Sequence, residues 1–170
     1  MTRAIAFVGM GSNLVHPRRQ LARALRRIAR LPRTRLIATS GNFVSAPLGT
    51  PAAQPDYVNA VAMLATALPP RALLARLLAL ERRQGRRRDA GTPRNAARSL
   101  DLDLLLYGRL RLRTPALTLP HPRMHERAFV LRPLTQIAPS AAIPGRGLAR
   151  RLARATRGQR IAATRIHHLH

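Results

Sequence analysis

Apolar and polar positions along the chain change period several times, and each change marks an element. Residues 4–8 are all apolar and enter Gly9-Met10-Gly11-Ser12-Asn13, which predicts a strand closing in a glycine-rich turn. Past Pro17, Leu21, Leu25, Ile28 and Leu31 recur at helical spacing while arginines at 18, 19, 23, 26, 27 and 30 take the other face. Pro17 suits a first helical turn and Pro32 a stop. Residues 34–44 predict a second strand, a proline-rich loop runs over 47–55, and 57–68 predict a third strand. Pro69-Pro70 opens a second helix with Leu73, Leu74, Leu77, Leu78 and Glu81 on one side. A long arginine-loaded loop over 84–99 leads into a fourth strand at 100–107. Beyond Gly108 the pattern predicts a small hairpin over 110–118, a short helix around 128–134, a basic amphipathic helix over 147–156 and a short strand or frayed end in the tail.

Strand, helix, strand, strand, helix, strand is the order of a ferredoxin-like βαββαβ sandwich. The fold class expected is therefore α+β, with a C-terminal extension. At 170 residues one domain is expected over 1–170, its core at about 3–140 and its basic extension at 141–170.

Composition narrows the chemistry. The chain is 46% apolar and 3% aromatic, so its core must be built from Leu, Ala, Val and Ile. Without cysteine there is no disulfide scaffold, thiol nucleophile or cysteine-ligated zinc. No apolar stretch approaches the length of roughly 18 residues needed to span a bilayer, and the N-terminus shows no signal-peptide pattern, so a soluble cytoplasmic protein is expected. All 31 cationic residues are arginine against six acids, for a net charge of +25. That charge reads either as a polyanion footprint or as a genomic bias toward arginine codons, since it is spread along the chain rather than gathered in a block.

The acids are the scarcer resource, and Asp101 and Asp103 lie two apart in Leu100-Asp101-Leu102-Asp103-Leu104. On a strand they project together while the leucines pack inward. Paired carboxylates repel unless cations reach them. Mg²⁺ beside substrate phosphates is one way of supplying the charge, and nearby arginines pairing with acids on a partly exposed edge strand are another. Upstream, Arg86, Arg87, Arg88, Arg94 and Arg98 approach the pair and offer guanidinium forks for a polyphosphate, or a solvated basic loop. Tyr57 and Asn59 share a strand face, and Phe129 is one of five aromatic residues. The two rings read either as a clamp on a flat heterocycle whose edge Asn59 recognises or as ordinary core. His121 either contacts phosphate or ends a loop. Gly9-Met10-Gly11-Ser12-Asn13 lacks the GK[ST] ending of a P-loop, which excludes the usual P-loop kinase chemistry.

In order along the chain, Gly11-Ser12-Asn13-Leu14, Pro47-Leu48-Gly49, Gln54-Pro55-Asp56-Tyr57-Val58-Asn59, Glu81 with Gly85-Arg86-Arg87-Arg88, Arg98 running into Leu100-Asp101-Leu102-Asp103, and Pro120-His121 followed by Met124, Arg127 and Phe129 resemble the 6-hydroxymethyl-7,8-dihydropterin pyrophosphokinases of folate biosynthesis. The resemblance implies a ferredoxin-like fold and a diphosphotransferase that moves the terminal diphosphate of ATP to the hydroxymethyl oxygen of a reduced pterin, releasing AMP. It implies that Asp101 and Asp103 hold two Mg²⁺ ions and act in catalysis with Arg86 and Arg98. Tyr57, Phe129, Asn59 and backbone near Leu48 would bind the pterin. Arg86, Arg88, Arg98, His121 and Arg127 would contact the triphosphate, and Thr118 would lie near the nucleoside. ATP and the pterin are then the partners, with no membrane or nucleic acid, and a monomer is expected.

One departure stands out: the family's aromatic, Gly and Pro before the arginine preceding the diacid are here Asn95-Ala96-Ala97. This implies slower loop closure and motivates the reading of a slow or degenerate pterin-binding relative. A nucleic-acid-binding ferredoxin-like module is the rival from another class, motivated by the charge and the small sheet.

Overall fold

The computed structural model describes residues 2–13, 16–46, 56–84 and 100–164. Strand β1 (Ala4–Ser12) leads to helix α1 (Pro17–Ile28), followed by β2 (Thr34–Thr39), β3 (Phe43–Ser45), β4 (Tyr57–Thr66) and helix α2 (Pro70–Arg83). Then come β5 (Asp101–Tyr107), a hairpin of β6 (Leu112–Arg113) and β7 (Thr118–Leu119), a 3₁₀ turn at Met124–Glu126 and helix α3 (Ala128–Ile137). A second hairpin, β8 (Ala142–Ile143) and β9 (Gly147–Leu148), precedes helix α4 (Ala149–Ala155) and β10 (Ile161–Ala163).

Six strands form one antiparallel sheet in the order β10-β3-β4-β1-β5, with β2 also paired to β4. Alternation in β4 sorts its side chains onto two faces. Val58, Ala60, Ala62 and Leu64 pack with Leu21, Ile28, Leu73 and Leu77 of α1 and α2. Val61 faces the other way, into a second core with Phe7, Leu105, Leu106, Leu131 and Leu134 under α3. A register shift between Phe7 and Val8 leaves Leu105 as the extra residue in β5, so Leu105 and Leu106 both enter the α3 core. Fully buried leucines fill both layers together with Ile28 in one and Ile143 in the other, as the aromatic-poor composition requires.

Several expectations need correction. Residues 9–12 continue β1 instead of turning, because 9–11 pair with β4 and β5 on both sides and Ser12 pairs with β4. The single strand expected over 34–44 is two: Ser40 to Asn42 break it, and β2 and β3 follow one another along the same edge of β4. The break is fastened, since Ser40 N–H donates to Val61 O at 2.9 Å and Ser40 Oγ accepts from Val61 N–H at 2.9 Å. The first part of the expected helix over 147–156 is the strand β9, whose positive φ of 97° at Gly147 is unfavourable for other residues. The tail strand β10 pairs with β3 and so joins the main sheet. No helix among the described residues is long and apolar enough to cross a membrane.

Candidate active site

The α3 face of the sheet is covered by helix at one end and open at the other. At the open end Asp101 stands opposite Gly11 and Asp103 opposite Gly9. Gly11 is also paired with Asn59 on the far side of β1. Directly paired residues project to the same face, so both acids, both glycines and Asn59 share this surface. Leu100, Leu102 and Leu104 point the other way and are at most 3% exposed. The common orientation expected of the two acids is therefore present.

The glycines explain the opening. Position 9 or 11 would otherwise carry a side chain into the floor between the acids and Asn59, and an ideal Cβ on Gly9 would already meet Leu105 at 3.4 Å. Asn59 is 5% exposed and held by its amide: Nδ2 donates to Ser45 Oγ at 2.7 Å and to Phe43 O at 3.4 Å. Ser45 was not singled out by the sequence. It orients Asn59 from β3, and only strand pairing reveals it.

Arg127 and Phe129 supply the opposite wall from the start of α3, with the Arg127 Cζ 5.5 Å from the Phe129 ring centroid. Together with Tyr57, Asn59, Asp101 and Asp103 they line one open cleft of about 780 Å³. A second cleft, of about 760 Å³, lies against the same two acids and is lined by Leu78, Glu81, Thr118 and His121. The acids thus border a cleft containing two aromatic rings on one side and a cleft containing Thr118 and His121 on the other.

Glu81 holds this strand from behind. Its carboxylate is buried, and Oε1 accepts the Leu102 N–H at 2.7 Å, from the peptide between the two acids. Among the described residues strand β5 ends the sheet, so its outward N–H groups face no neighbouring strand there, and Glu81 of α2 serves one of them.

His121 N–H donates to Leu105 O at 2.9 Å, and its Nδ1 accepts the Arg123 N–H at 3.2 Å. Burial, reinforced by Arg127 and Arg123 and partly offset by Asp101, lowers its pKa below the ordinary 6.5. At neutral pH the imidazole is neutral, and with Nδ1 accepting, the proton sits on Nε2.

Two carboxylates side by side are hard oxygen donors suited to Mg²⁺, whose remaining positions go to water and substrate phosphate. Among the described residues no group of three or more potential metal ligands occurs. Leu48, Arg86, Arg88 and Arg98, with the Asn95-Ala96-Ala97 departure, lie outside the described residues.

Carboxylates between two clefts, one with a neutral imidazole and the other with a guanidinium and rings, are an arrangement that can serve phosphoryl-group transfer on an antiparallel sheet. Comparison with known proteins names the kind. Residues 7–139 match the family model for 7,8-dihydro-6-hydroxymethylpterin-pyrophosphokinase (HPPK), and the chain belongs to this family. It is 50% identical over 148 residues to the 2-amino-4-hydroxy-6-hydroxymethyldihydropteridine pyrophosphokinase of Pseudomonas aeruginosa, covering 86% of this chain and 89% of that one. Against the enzyme of the same name from Haemophilus influenzae it is 47% identical over 139 residues, covering 82% and 84%. The fold resembles crystallised Plasmodium falciparum HPPK-DHPS with pteroate, at a TM-score of 0.71 and 11% identity over 90% of this chain. The chain spans only 42% of that protein.

Proposed function

We propose that the chain transfers the terminal diphosphate of ATP to the hydroxymethyl oxygen of 6-hydroxymethyl-7,8-dihydropterin, as its family does, and that the clefts on either side of Asp101 and Asp103 divide the two substrates. The carrying observation is that Asp101, Asp103, Tyr57, Asn59, Phe129 and Arg127 line one cleft. In this reading the pterin lies between Tyr57 and Phe129, where a flat heterocycle buries both faces, and the Asn59 Oδ1 reads its edge. The nucleotide enters from the other side, past Thr118 and His121.

The hydroxymethyl oxygen attacks the β-phosphorus, the bond from that phosphorus to the oxygen bridging the α-phosphate breaks, AMP leaves with that oxygen, and the hydroxyl proton passes to solvent. Asp101 and Asp103 hold Mg²⁺, two ions in our reading, which supplies charge neutralisation of the phosphate oxygens and orientation of the hydroxyl. Arg127 and the Nε2–H of His121 bind phosphate oxygens. Arg86, Arg88 and Arg98 are assigned the triphosphate, and Leu48 backbone the pterin, on the family motif. With β2 and β3 counted as one strand and β10 as an addition at the edge, we read the order as that of a ferredoxin-like sheet, and we read residues 1–170 as one domain acting as a cytoplasmic monomer.

The test is AMP release from purified protein with ATP, Mg²⁺ and the pterin, run beside a salt titration of oligonucleotide binding. Pterin-dependent AMP supports the proposal. Tight, sequence-dependent oligonucleotide binding without AMP overturns it in favour of a nucleic-acid module.

A further inference from the structure

The C-terminal segment lies beyond residues 7–139, the part matched by the family, yet it touches both walls of the cleft. Helix α3 begins at Ala128 with Arg127 as its N-cap, and the Arg127 side chain makes no capping hydrogen bond. The first N–H groups of any helix lack an internal acceptor, so the start of α3 needs one from elsewhere.

Gln159 supplies it from 31 residues away: its Oε1 accepts the Ala128 N–H at 2.8 Å while its Nε2 donates to Glu126 O at 2.6 Å. One amide therefore spans the backbone on both sides of Arg127 and fixes the residue whose guanidinium lies 5.5 Å from the Phe129 ring. The same segment then forms β10 against β3, opposite Ser45 through Ile161, and Thr164 N–H donates to Asn42 O at 2.9 Å. Ser45 in turn holds Asn59.

We infer that Gln159 is a positioning residue for the substrate cleft, setting Arg127 and Phe129 through the backbone of residues 126–128, and that the segment after α4 is a working part of the site. The inference rests on the reading of Phe129 and Arg127 as substrate contacts. It makes the chain's pterin affinity depend on a side chain outside the matched family region.

Two full-length variants separate this from general stability. Gln159→Met keeps length and volume and loses both hydrogen bonds, whereas Gln159→Glu keeps the acceptor for Ala128 N–H and loses the donor to Glu126 O. The measurements are the dissociation constant of the pterin without nucleotide, kcat and KM for AMP release, and hydrogen exchange at the Ala128 amide. Loss of bonds of this type should weaken pterin binding by about three- to tenfold in Gln159→Met, with faster Ala128 exchange. Gln159→Glu should retain Ala128 protection and fall between. Leu25→Ala, on α1 away from the cleft, serves as the control that lowers stability without moving pterin affinity. Unchanged pterin affinity in Gln159→Met, or an equal loss in Leu25→Ala, overturns the inference. Wild-type protein that releases no pterin-dependent AMP overturns the functional reading instead, and the Ala128 exchange rate then still reports whether Gln159 holds the helix start.

Discussion

Gly11 stands directly across from Asn59 in the β1–β4 ladder, and an ideal Cβ at position 11 would lie 3.3 Å from Asn59 Oδ1. The contact is tighter than ordinary packing, and Asn59 cannot yield freely because its Nδ2 is bonded to Ser45. Gly11→Ala should therefore displace the edge-reading oxygen, weakening pterin binding by about tenfold, roughly 1.4 kcal/mol. Titration of the pterin, with the melting temperature as control, checks this. Unchanged affinity would mean that the floor at Gly11 does not shape the site.

Glu81 keeps the peptide between the acids in place, so reach matters more than charge. Glu81→Asp retains the carboxylate but shortens it by one methylene, and Glu81→Gln retains an acceptor at the original reach. The Mg²⁺ concentration giving half-maximal AMP release should rise about five- to tenfold in Glu81→Asp and less in Glu81→Gln, the scale of one lost charge-assisted hydrogen bond. The opposite order would show that the charge itself is what the site uses.

Alternation made the diacid readable in the sequence: Asp101, Leu102 and Asp103 can only divide between two faces if the segment is a strand, and the leucines identify the buried face. The same period applies to Gly9 and Gly11, so the open floor was present in the sequence too. It was hidden because glycine also signals turns, and only pairing on both sides of β1 distinguishes the two. Contacts such as Ser45 to Asn59 and Gln159 to Ala128 join residues 14 and 31 apart through tertiary packing and leave no local pattern. Strands of two or three residues, such as β8, β9 and β10, are too short for a period to register.

Leu131 of α3 is fully buried in the core that supports Arg127 and Phe129. Leu131→Ala should lower unfolding free energy by about 2–5 kcal/mol, through lost transfer energy and a residual cavity. Urea denaturation measures the loss. A change below about 1 kcal/mol would mean that α3 can collapse onto the sheet without its central leucine.

His121 gives the fold a pH dependence of definite sign. Its folded pKa lies below 6.5, so the unfolded chain binds the proton more tightly. The stability it contributes is fully present above about 6.5 and is lost as pH falls from there through the folded value. Urea midpoints between pH 5 and 7.5, in roughly the range where histidine titrates, should fall less on the acid side in His121→Asn than in wild type. Equal slopes would show that this imidazole does not titrate differently on unfolding.

AMP release in the presence of ATP, Mg²⁺ and pterin, compared between wild type and the Asp101→Asn and Asp103→Asn variants, tests the role of the paired acids directly. Each variant should lose at least about 100-fold in turnover, the scale of removing a group that stabilises transferring phosphates, while keeping its circular dichroism and its pterin affinity without metal. Near-wild-type turnover in either folded variant would contradict the assignment of these two carboxylates to the reaction.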